Sequence, residues 1–256
     1  MPFLVCIVPV SPVRAEASHK SEQTSQLLFG EVCELLESTK DFLRIRVVYD
    51  NYTGWCQLTQ LAGINEAELQ TQTTLLSADW INNISVNNQS MQIPFGSSLA
   101  LLKDGKATFG KYEVSYGGNS IDTTDNSSIE ASIKKFAFNF LNTPYLWGGR
   151  SVFGVDCSGF CQLVFKCVAV HLLRDAYQQA AQGEAVGFLE EVKCGDLAFF
   201  DNEAGKITHI GILLDSNTMI HSSGKVRIDT IDNLGIINND LGKRTHNLRV
   251  IKRVIK

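Results

Sequence analysis

Cysteine and histidine are the side chains in this sequence with the most chemistry to offer. Cys157 stands in the polar segment 156–159, directly before the apolar run Phe160–Val170, which is typical of a buried helix. A thiolate rather than a thiol attacks a carbonyl carbon, and the unpaired N–H groups at the start of a helix favour negative charge. The position of Cys157 therefore suits a nucleophile that hydrolyses an amide bond.

Such a nucleophile needs a base, and two histidines are candidates. His209 and His221 lie on the predicted strands Ile207–Leu214 and Thr218–His221, which a turn at 215–217 would join into a hairpin. The two rings would be diagonal neighbours, or would lie on adjacent strands of a bent sheet. One imidazole could hold a thiolate–imidazolium pair with Cys157, and the other could fix its tautomer.

The residues alone leave other interpretations open. A cysteine at the start of a helix is more often structural, and a histidine beside an apolar strand is more often a satisfied core residue. A zinc site from Cys157, Cys161 and the histidines is possible, but the usual spacing of zinc ligands is absent.

The elements that must position these residues fall into three zones, predicted as domains 1–62, 63–128 and 129–256. The first zone has short strands with turn residues between them, which is typical of a small barrel. The second is rich in strands, with a short helix, a hairpin signal at Asp104-Gly105 and a polar linker at 117–128, and is either a second SH3-like barrel or an extension of the first zone. The third has helices first and strands afterwards, an α+β pattern. The predicted strands are Phe3–Val10, Leu27–Leu36, Phe42–Val48, Thr53–Gln57, Leu197–Phe200, Ile207–Leu214, Thr218–His221 and Leu248–Val254; the predicted helices are Glu66–Gln72, Ile129–Leu141, Ser158–Leu173 and Arg174–Gln182.

Composition excludes several classes of function. The net charge of −4 comes without a basic patch or tail, so we expect no nucleic-acid partner. The longest apolar runs are too short to span a bilayer, so we expect no membrane segment. Seven cysteines without tandem spacing argue against a disulfide framework and favour a reducing compartment. The apolar start, Phe3–Val8, has no preceding Lys or Arg and no small-residue cleavage site after it, which favours a strand over an export signal and predicts a cytoplasmic protein.

Several blocks, in order, resemble the NlpC/P60-type cysteine peptidases. They are Tyr145-Leu146-Trp147-Gly148-Gly149, Asp156-Cys157-Ser158-Gly159-Phe160, Gly195-Asp196-Leu197 with Phe199-Phe200, Thr208-His209-Ile210-Gly211-Ile212, and Ile220-His221-Ser222-Ser223-Gly224. The resemblance implies a papain-like fold in which Cys157 is the nucleophile, His209 the base and His221 the residue that orients it. It also implies that the hydroxyl of Tyr145 helps to form the oxyanion hole.

The N-terminal zone is similar to a bacterial SH3-like barrel through Arg14, the segment Ser21–Glu31 and Tyr52-Thr53-Gly54-Trp55. The whole arrangement resembles γ-D-glutamyl-L-diamino-acid endopeptidases, in which the barrel narrows the substrate site of a papain-like domain. Those enzymes cut murein peptides that carry a free N-terminal L-alanine, so carboxylates are expected near the substrate ammonium group. The resemblance implies that Asp156, Ser158 and Asp175 contact the substrate, and Glu22 and Tyr52 are the candidates from the barrel. Asp156 could instead only cap the helix, and Glu22 and Asp175 could be surface acids. Ala176 departs from the serine of the family pattern.

The expected activity is therefore hydrolysis of the bond between γ-D-glutamate and meso-diaminopimelate or L-lysine, in cell-wall peptide recycling. Murein stem peptides are the expected partners, and no metal or organic cofactor is implied. Three alternatives remain: a secreted wall hydrolase that its barrel anchors to peptidoglycan, a non-catalytic peptide-binding module, and an acyltransferase or amidase on the same scaffold.

Overall fold

The computed structural model describes residues 3–69, 73–125 and 128–255. Contacts divide the chain into two compact units, residues 1–125 with 147–152, and residues 126–146 with 153–256. The strands are β1 (Phe3–Cys6), β2 (Val10–Arg14), β3 (Gln23–Leu28), β4 (Val32–Ser38), β5 (Phe42–Val47), β6 (Thr53–Gln57), β7 (Leu61–Ile64), β8 (Leu75–Ser77), β9 (Ile81–Val86), β10 (Gln89–Pro94), β11 (Lys106–Phe109), β12 (Tyr112–Tyr116), β13 (Ser120–Asp122), β14 (Arg150–Ser151), β15 (Gly154–Val155), β16 (Glu184–Val186), β17 (Leu197–Asp201), β18 (Ile207–Leu213), β19 (Thr218–Ser223), β20 (Lys225–Asp232), β21 (Gly235–Asn238) and β22 (Lys243–Arg253). The α-helices are α1 (Glu66–Leu69), α2 (Ile129–Asn139), α3 (Cys157–Lys166) and α4 (Ala176–Gln179).

The first unit contains a seven-stranded sheet in the order β3-β2-β6-β5-β4-β1-β7. Strand β5 shows how the sequence builds it, because Leu43, Ile45 and Val47 are buried while Arg44 and Arg46 are exposed. The alternation predicted for this strand is confirmed. The chain has an SH3-like all-β region at its N-terminal end and a region of many strands and few helices at its C-terminal end, which confirms the predicted fold class.

The middle zone of the first unit forms a second sheet in the order β10-β9-β12-β11. Its side chains share an apolar core with the first sheet, in which Val5 and Phe29 lie with Ile84, Ile93 and Phe109. Burial of each such side chain contributes roughly 1.5–3 kcal/mol to the stability of the unit. The zone is therefore a sheet packed on the first one within a common core.

Several local predictions for the first unit need correction. Leu27–Leu36 is not one strand, because the chain turns at Gly30, whose φ of 76° suits glycine, and β3 ends before it. Asp104 and Gly105 do form a tight turn with positive φ, but the segment before them is not a strand, and the hairpin that follows joins β11 to β12. The predicted linker contains β13, which pairs with β8. The predicted helix from Glu66 is observed to Leu69, and its last three residues lie outside the described ranges.

The second unit is built around strands that close on themselves. The sheet order is β16-β22-β17-β18-β19-β20-β21, and β21 also pairs with β22, so that β17 to β22 form a closed ring. Phe200, Leu213, Met219, Ile231 and Ile236 belong to a buried cluster of this unit. Closure leaves no free hydrogen-bonding edge among the ring strands.

Helix α3 packs against β18 and β19 of this ring. It is shorter than predicted and ends at Lys166, and the chain then passes through Ala169, whose φ of 56° breaks the helical path. Strands β20 and β21 were not predicted. Within the described ranges, no helix has the length and apolar character needed to cross a bilayer.

Residues 147–152 belong to the first unit by their contacts, although the sequence places them in the third zone. The backbone N–H of Arg150 donates to Oε1 of Gln26 at 2.8 Å, and its buried guanidinium forms a salt bridge with Glu31 at 2.9 Å. The backbone carbonyl of Trp147 accepts a hydrogen bond from the side chain of Gln23. The predicted three-domain division stays a prediction.

Candidate active site

Cys157 is the first residue of α3 and is 7% exposed. The helix begins there because Oδ1 of Asp156 accepts a hydrogen bond from the backbone N–H of Gly159 at 2.6 Å, which satisfies a donor of the first turn. The backbone N–H of Ile210, on β18, interacts with the sulfur. The thiol therefore lies between the positive end of a helix and the strand that carries His209.

The protonation state of Cys157 depends on opposing neighbours. Burial raises the pKa of its thiol to about 12, and the adjacent Asp156 carboxylate adds to the rise. The backbone N–H groups of Ile210 and Ser158 and the guanidinium of Arg174 act in the other direction without overcoming it. At neutral pH the sulfur carries its proton until a base accepts it.

His209 and His221 lie on neighbouring antiparallel strands, as predicted. Gly211 pairs with His221, so His209, two residues earlier, is the diagonal neighbour of His221 on the same face. Nε2 of His209 lies 2.8 Å from Nδ1 of His221. Position 211 must be glycine for this approach, because a Cβ there would come within 2.7 Å of the Cβ of His221. The hairpin thus places two imidazoles in direct hydrogen-bonding contact.

The environment of His209 keeps its ring neutral. Burial lowers its pKa well below the ordinary value, and the neighbouring rings of His221 and His246 lower it further. The ring of His246 stacks on it with centroids 4.2 Å apart, and Phe200 lies at 5.8 Å. Burial thus favours the neutral form of each group by itself, and the thiolate–imidazolium pair with Cys157 stays a prediction.

Tyr145 is held near Cys157 by the backbone, since it forms a parallel bridge with Val155, two residues before Cys157. Burial raises the pKa of its hydroxyl to about 12, and the charges of Cys157 and Asp156 contribute to the rise. The hydroxyl therefore keeps its proton at neutral pH and remains a hydrogen-bond donor. This state suits the predicted role in an oxyanion hole.

Asp156 and Ser158 share a buried partner, Arg174. Its Nη2 atom lies 2.5 Å from Oδ2 of Asp156, and its Nη1 atom donates to Oγ of Ser158 at 2.9 Å. The hydroxyl of Ser158 donates in turn to Oδ1 of Asp156 at 3.2 Å. The two predicted amine-contacting residues thus lie together beside Cys157. The charge of the Asp156 carboxylate is already balanced by the Arg174 guanidinium.

The three remaining predicted substrate residues have separate surroundings. Asp175 is the N-cap residue of α4 and follows Arg174 directly. Glu22, in the first unit, is exposed, and its Oε1 accepts a hydrogen bond from Nε1 of Trp147 at 2.6 Å. Tyr52, also in the first unit, is half-buried against the core of the first sheet. Contact of any of these residues with substrate stays a prediction.

Three residues of this site were missed from the sequence. Asp229 and His246 lie on β20 and β22, and both reach the histidine pair; Arg174 reaches Asp156. Asp229 lies between Ile228 and Thr230, in a segment for which no strand was predicted, and His246 lies before the strand predicted at 248–254. A signal existed for Arg174, since it directly precedes Asp175, which was singled out. Among the described residues, no group of three or more His, Cys, Asp or Glu side chains is arranged to hold a metal ion.

Comparison with known sequences identifies the class of protein as the cysteine peptidases of NlpC/P60 type. Residues 142–245 match the model of the NlpC/P60 family, and residues 13–61 match that of the bacterial dipeptidyl-peptidase SH3 domain. The chain belongs to the NlpC/P60 family. The predicted family membership, including the SH3-like region, is confirmed.

Relatives with curated names cover most of the chain. A γ-D-glutamyl-L-lysine dipeptidyl-peptidase of Bacillus subtilis is 30% identical over 77% of this chain and 71% of its own length. A Bacillus cereus protein of the same name is 26% identical over 87% of this chain and 74% of its own length. The solved structure of an NlpC/P60 family protein from Bacillus cereus superposes with a TM-score of 0.81 at 18% identity, covering 99% of this chain and all of that one, which shows the shared fold.

Proposed function

We propose that this protein is a cysteine endopeptidase that cleaves the bond between γ-D-glutamate and the diamino acid of murein peptides, releasing L-Ala-D-Glu. The observation that carries the proposal is the direct contact of His209 with His221, on the two strands β18 and β19 against which the helix that begins at Cys157 packs. The names of the Bacillus relatives support the peptide class, because both refer to a γ-D-glutamyl-L-lysine bond.

The reaction starts from a neutral thiol and a neutral imidazole. Nε2 of His209 is engaged with His221, which leaves Nδ1 to accept the proton of Cys157 as the sulfur attacks the carbonyl carbon. The resulting oxyanion is stabilised by the hydroxyl of Tyr145 and by the backbone N–H of Cys157. The His209 imidazolium then protonates the leaving amine as the C–N bond breaks. Water, deprotonated by the same ring, hydrolyses the thioester and restores the thiol.

Selection for a free N-terminal amine is the second part of the proposal. An ammonium group needs carboxylate or hydroxyl acceptors, and Asp156, Ser158, Asp175 and Glu22 are the candidates. Ser158 and Asp156 sit beside the nucleophile, where a bound ammonium would share the Asp156 carboxylate with Arg174. A peptide with an acetylated N-terminus would bring no charge to compensate for desolvation of these groups.

Mass spectrometry of the products from a panel of peptides tests both parts. We expect L-Ala-γ-D-Glu-meso-diaminopimelate or its L-lysine counterpart to yield L-Ala-D-Glu, and the N-acetylated forms to react at least on the order of 100-fold more slowly. Equal rates for free and acetylated peptides would refute the amine requirement, and absence of L-Ala-D-Glu from both diamino acid peptides would refute the bond assignment.

A cytoplasmic role in the recycling of cell-wall peptides completes the proposal. Its support is the proposed selection for a free amine, which small peptides released by wall turnover carry and the intact wall does not. Incubation with purified sacculi and with soluble peptides at equal enzyme concentration separates this role from that of an anchored wall hydrolase. Release of peptides from sacculi at a rate comparable with that on soluble peptides would contradict it.

A further inference from the structure

Asp229 lies behind the histidine pair with both carboxylate oxygens occupied. It is 0% exposed, and its Oδ2 atom accepts hydrogen bonds from Nε2 of His221 at 3.0 Å and from Nε of Arg227 at 2.8 Å. Its Oδ1 atom accepts from Nη2 of Arg227 and from the backbone N–H of Asn239, each at 2.9 Å. The Arg227 guanidinium is itself held by Asp240 at 2.9 Å. The carboxylate therefore has a fixed position against the second ring.

The charge of Asp229 follows from these partners. Burial alone would raise the pKa of the carboxyl, but the hydrogen bonds from His221, Arg227 and Asn239 lower it below its ordinary value. The group is ionised at neutral pH and can accept hydrogen bonds without donating any. A proton must therefore reside on the His221 nitrogen that faces it.

The tautomer of His221 in turn determines the tautomer of His209. With its proton on Nε2, a neutral His221 has a lone pair on Nδ1, which must accept a hydrogen bond from Nε2 of His209. His209 then carries its own proton on Nε2 and has a lone pair on Nδ1. That nitrogen is the one the proposed reaction uses to deprotonate Cys157.

We propose that Asp229 is a positioning residue that fixes the tautomers of both histidines and so keeps Nδ1 of His209 free to accept the thiol proton. The inference rests on the proposed function of the site, because it assigns a source for the orientation of the base. Asp229 touches neither the substrate nor the sulfur in this scheme and acts through His221 and His209. The same carboxylate also stabilises the charge that His209 acquires when it is protonated.

Asp229→Asn is the direct test. An amide has one acceptor atom, and in either orientation its NH₂ group meets a donor: the His221 ring and Arg227 on one side, or Asn239 and Arg227 on the other. We expect kcat on the murein peptide to fall on the order of 100-fold or more, with little change in KM. Asp232→Asn is the matched control, since Asp232 lies on the same strand and pairs with the partly exposed Arg244; it should leave kcat unchanged.

Imidazole ¹⁵N NMR reads the tautomers without reference to turnover. In the wild-type protein near neutral pH, both rings should give the pattern of a proton on Nε2, and Asp229→Asn should shift His221 toward a proton on Nδ1. A wild-type spectrum with the proton of His221 on Nδ1 would overturn the proposal, whether or not the variant folds. If the protein cleaves no murein peptide while the spectra are as expected, the proposed function fails and the tautomer assignment stands.

A double-mutant cycle with His221→Gln separates positioning from general support of the fold. If Asp229 acts through His221, Asp229→Asn should reduce kcat strongly in the wild-type background and by less than about threefold in the His221→Gln background. Losses that multiply in the two backgrounds would contradict the proposal, because they would mean that Asp229 acts independently of the ring it contacts.

Discussion

Both units of this protein bury cysteines, and the two settings differ in what surrounds the sulfur. Cys6, Cys33 and Cys56 lie in the core of the first sheet, among apolar side chains. Cys157 is nearly as buried, at 7% exposed, but a helix N-terminus, a tyrosine hydroxyl and the strand of a histidine surround it.

Thiol acidity does not separate the two settings. Burial raises the pKa of Cys56 to about 12, and that of Cys157 to about 12 as well. Because the thiol pKa alone does not distinguish a nucleophile from a core cysteine here, a neighbouring base must do so. The proposed function assigns that base to His209, on a strand that packs against the helix of Cys157, whereas the thiols of the first sheet lie among apolar side chains.

The largest expected effect comes from exchanging the two kinds of cysteine for alanine. Cys157→Ala should lower kcat/KM on the murein peptide by at least about 10⁴-fold, since the nucleophile is lost. Cys56→Ala should leave kcat/KM unchanged while lowering the free energy of unfolding by about 1–2 kcal/mol, because it leaves a small cavity. Peptide turnover and urea denaturation measure the two quantities. Retained activity in Cys157→Ala would remove the distinction between the two settings.

A smaller loss is expected from Tyr145→Phe. Removing the hydroxyl deletes one oxyanion donor and leaves the ring packing, so kcat should fall about 10²–10³-fold while KM changes little. Steady-state kinetics on the murein peptide provide the measurement. Tyr112→Phe, on β12 of the first unit, is the matched control and should behave as the wild type. A loss confined to KM would assign Tyr145 to substrate binding instead.

The smallest effect concerns the ring that covers the base. Burial lowers the pKa of His246 to about 4 from an ordinary 6.5, so the unfolded chain binds the proton more readily between these pH values. The stability contribution is therefore fully present above pH 6.5 and decreases as the pH falls toward 4. The ring is partly exposed, so solvent screening limits the loss to about 1–2 kcal/mol. His246→Phe keeps a stacked ring and should flatten that decrease while changing kcat only a few-fold.

Thermal melting at a series of pH values checks this prediction. His19→Phe, at an exposed position of the first unit, is the matched control and should retain the wild-type pH dependence. If the melting temperature of His246→Phe depends on pH as that of the wild type does, other groups cause the acid sensitivity, such as the paired carboxylates of the closed sheet β17–β22.

Cys157, His209 and His221 could be predicted from the sequence, whereas the residues that contact the two histidines from other strands could not. The helix start at Cys157 and the hairpin of His209 and His221 follow from local patterns, and the family resemblance set their roles. Asp229 could not be found in this way, because its contact with His221 depends on the pairing of β19 with β20. The same holds for His246, which reaches His209 only because β22 pairs with β17, where Phe200 lies opposite Leu248.

The first unit shows a related limit. Alternation in β5 predicts its two faces, since side-chain direction is a local property of a strand. The strand order, with β1 between β4 and β7, depends on pairings distant in the sequence, which periodicity does not encode. The partner of Arg150 is likewise 119 residues away, at Glu31. Local chemistry was therefore predictable, and the long-range contacts that hold it were not.

Residues 147–152 separate Tyr145 from Cys157 along the chain, yet their contacts are with the first unit. The polypeptide thus passes between the two units at 125–126, 146–147 and 152–153. The second unit consequently cannot be separated from the first by cleavage at a single linker. A protein engineer who deleted the first 125 residues would remove Gln26 and Glu31, the partners of Arg150, and would leave an uncompensated guanidinium in the segment that joins Tyr145 to Cys157.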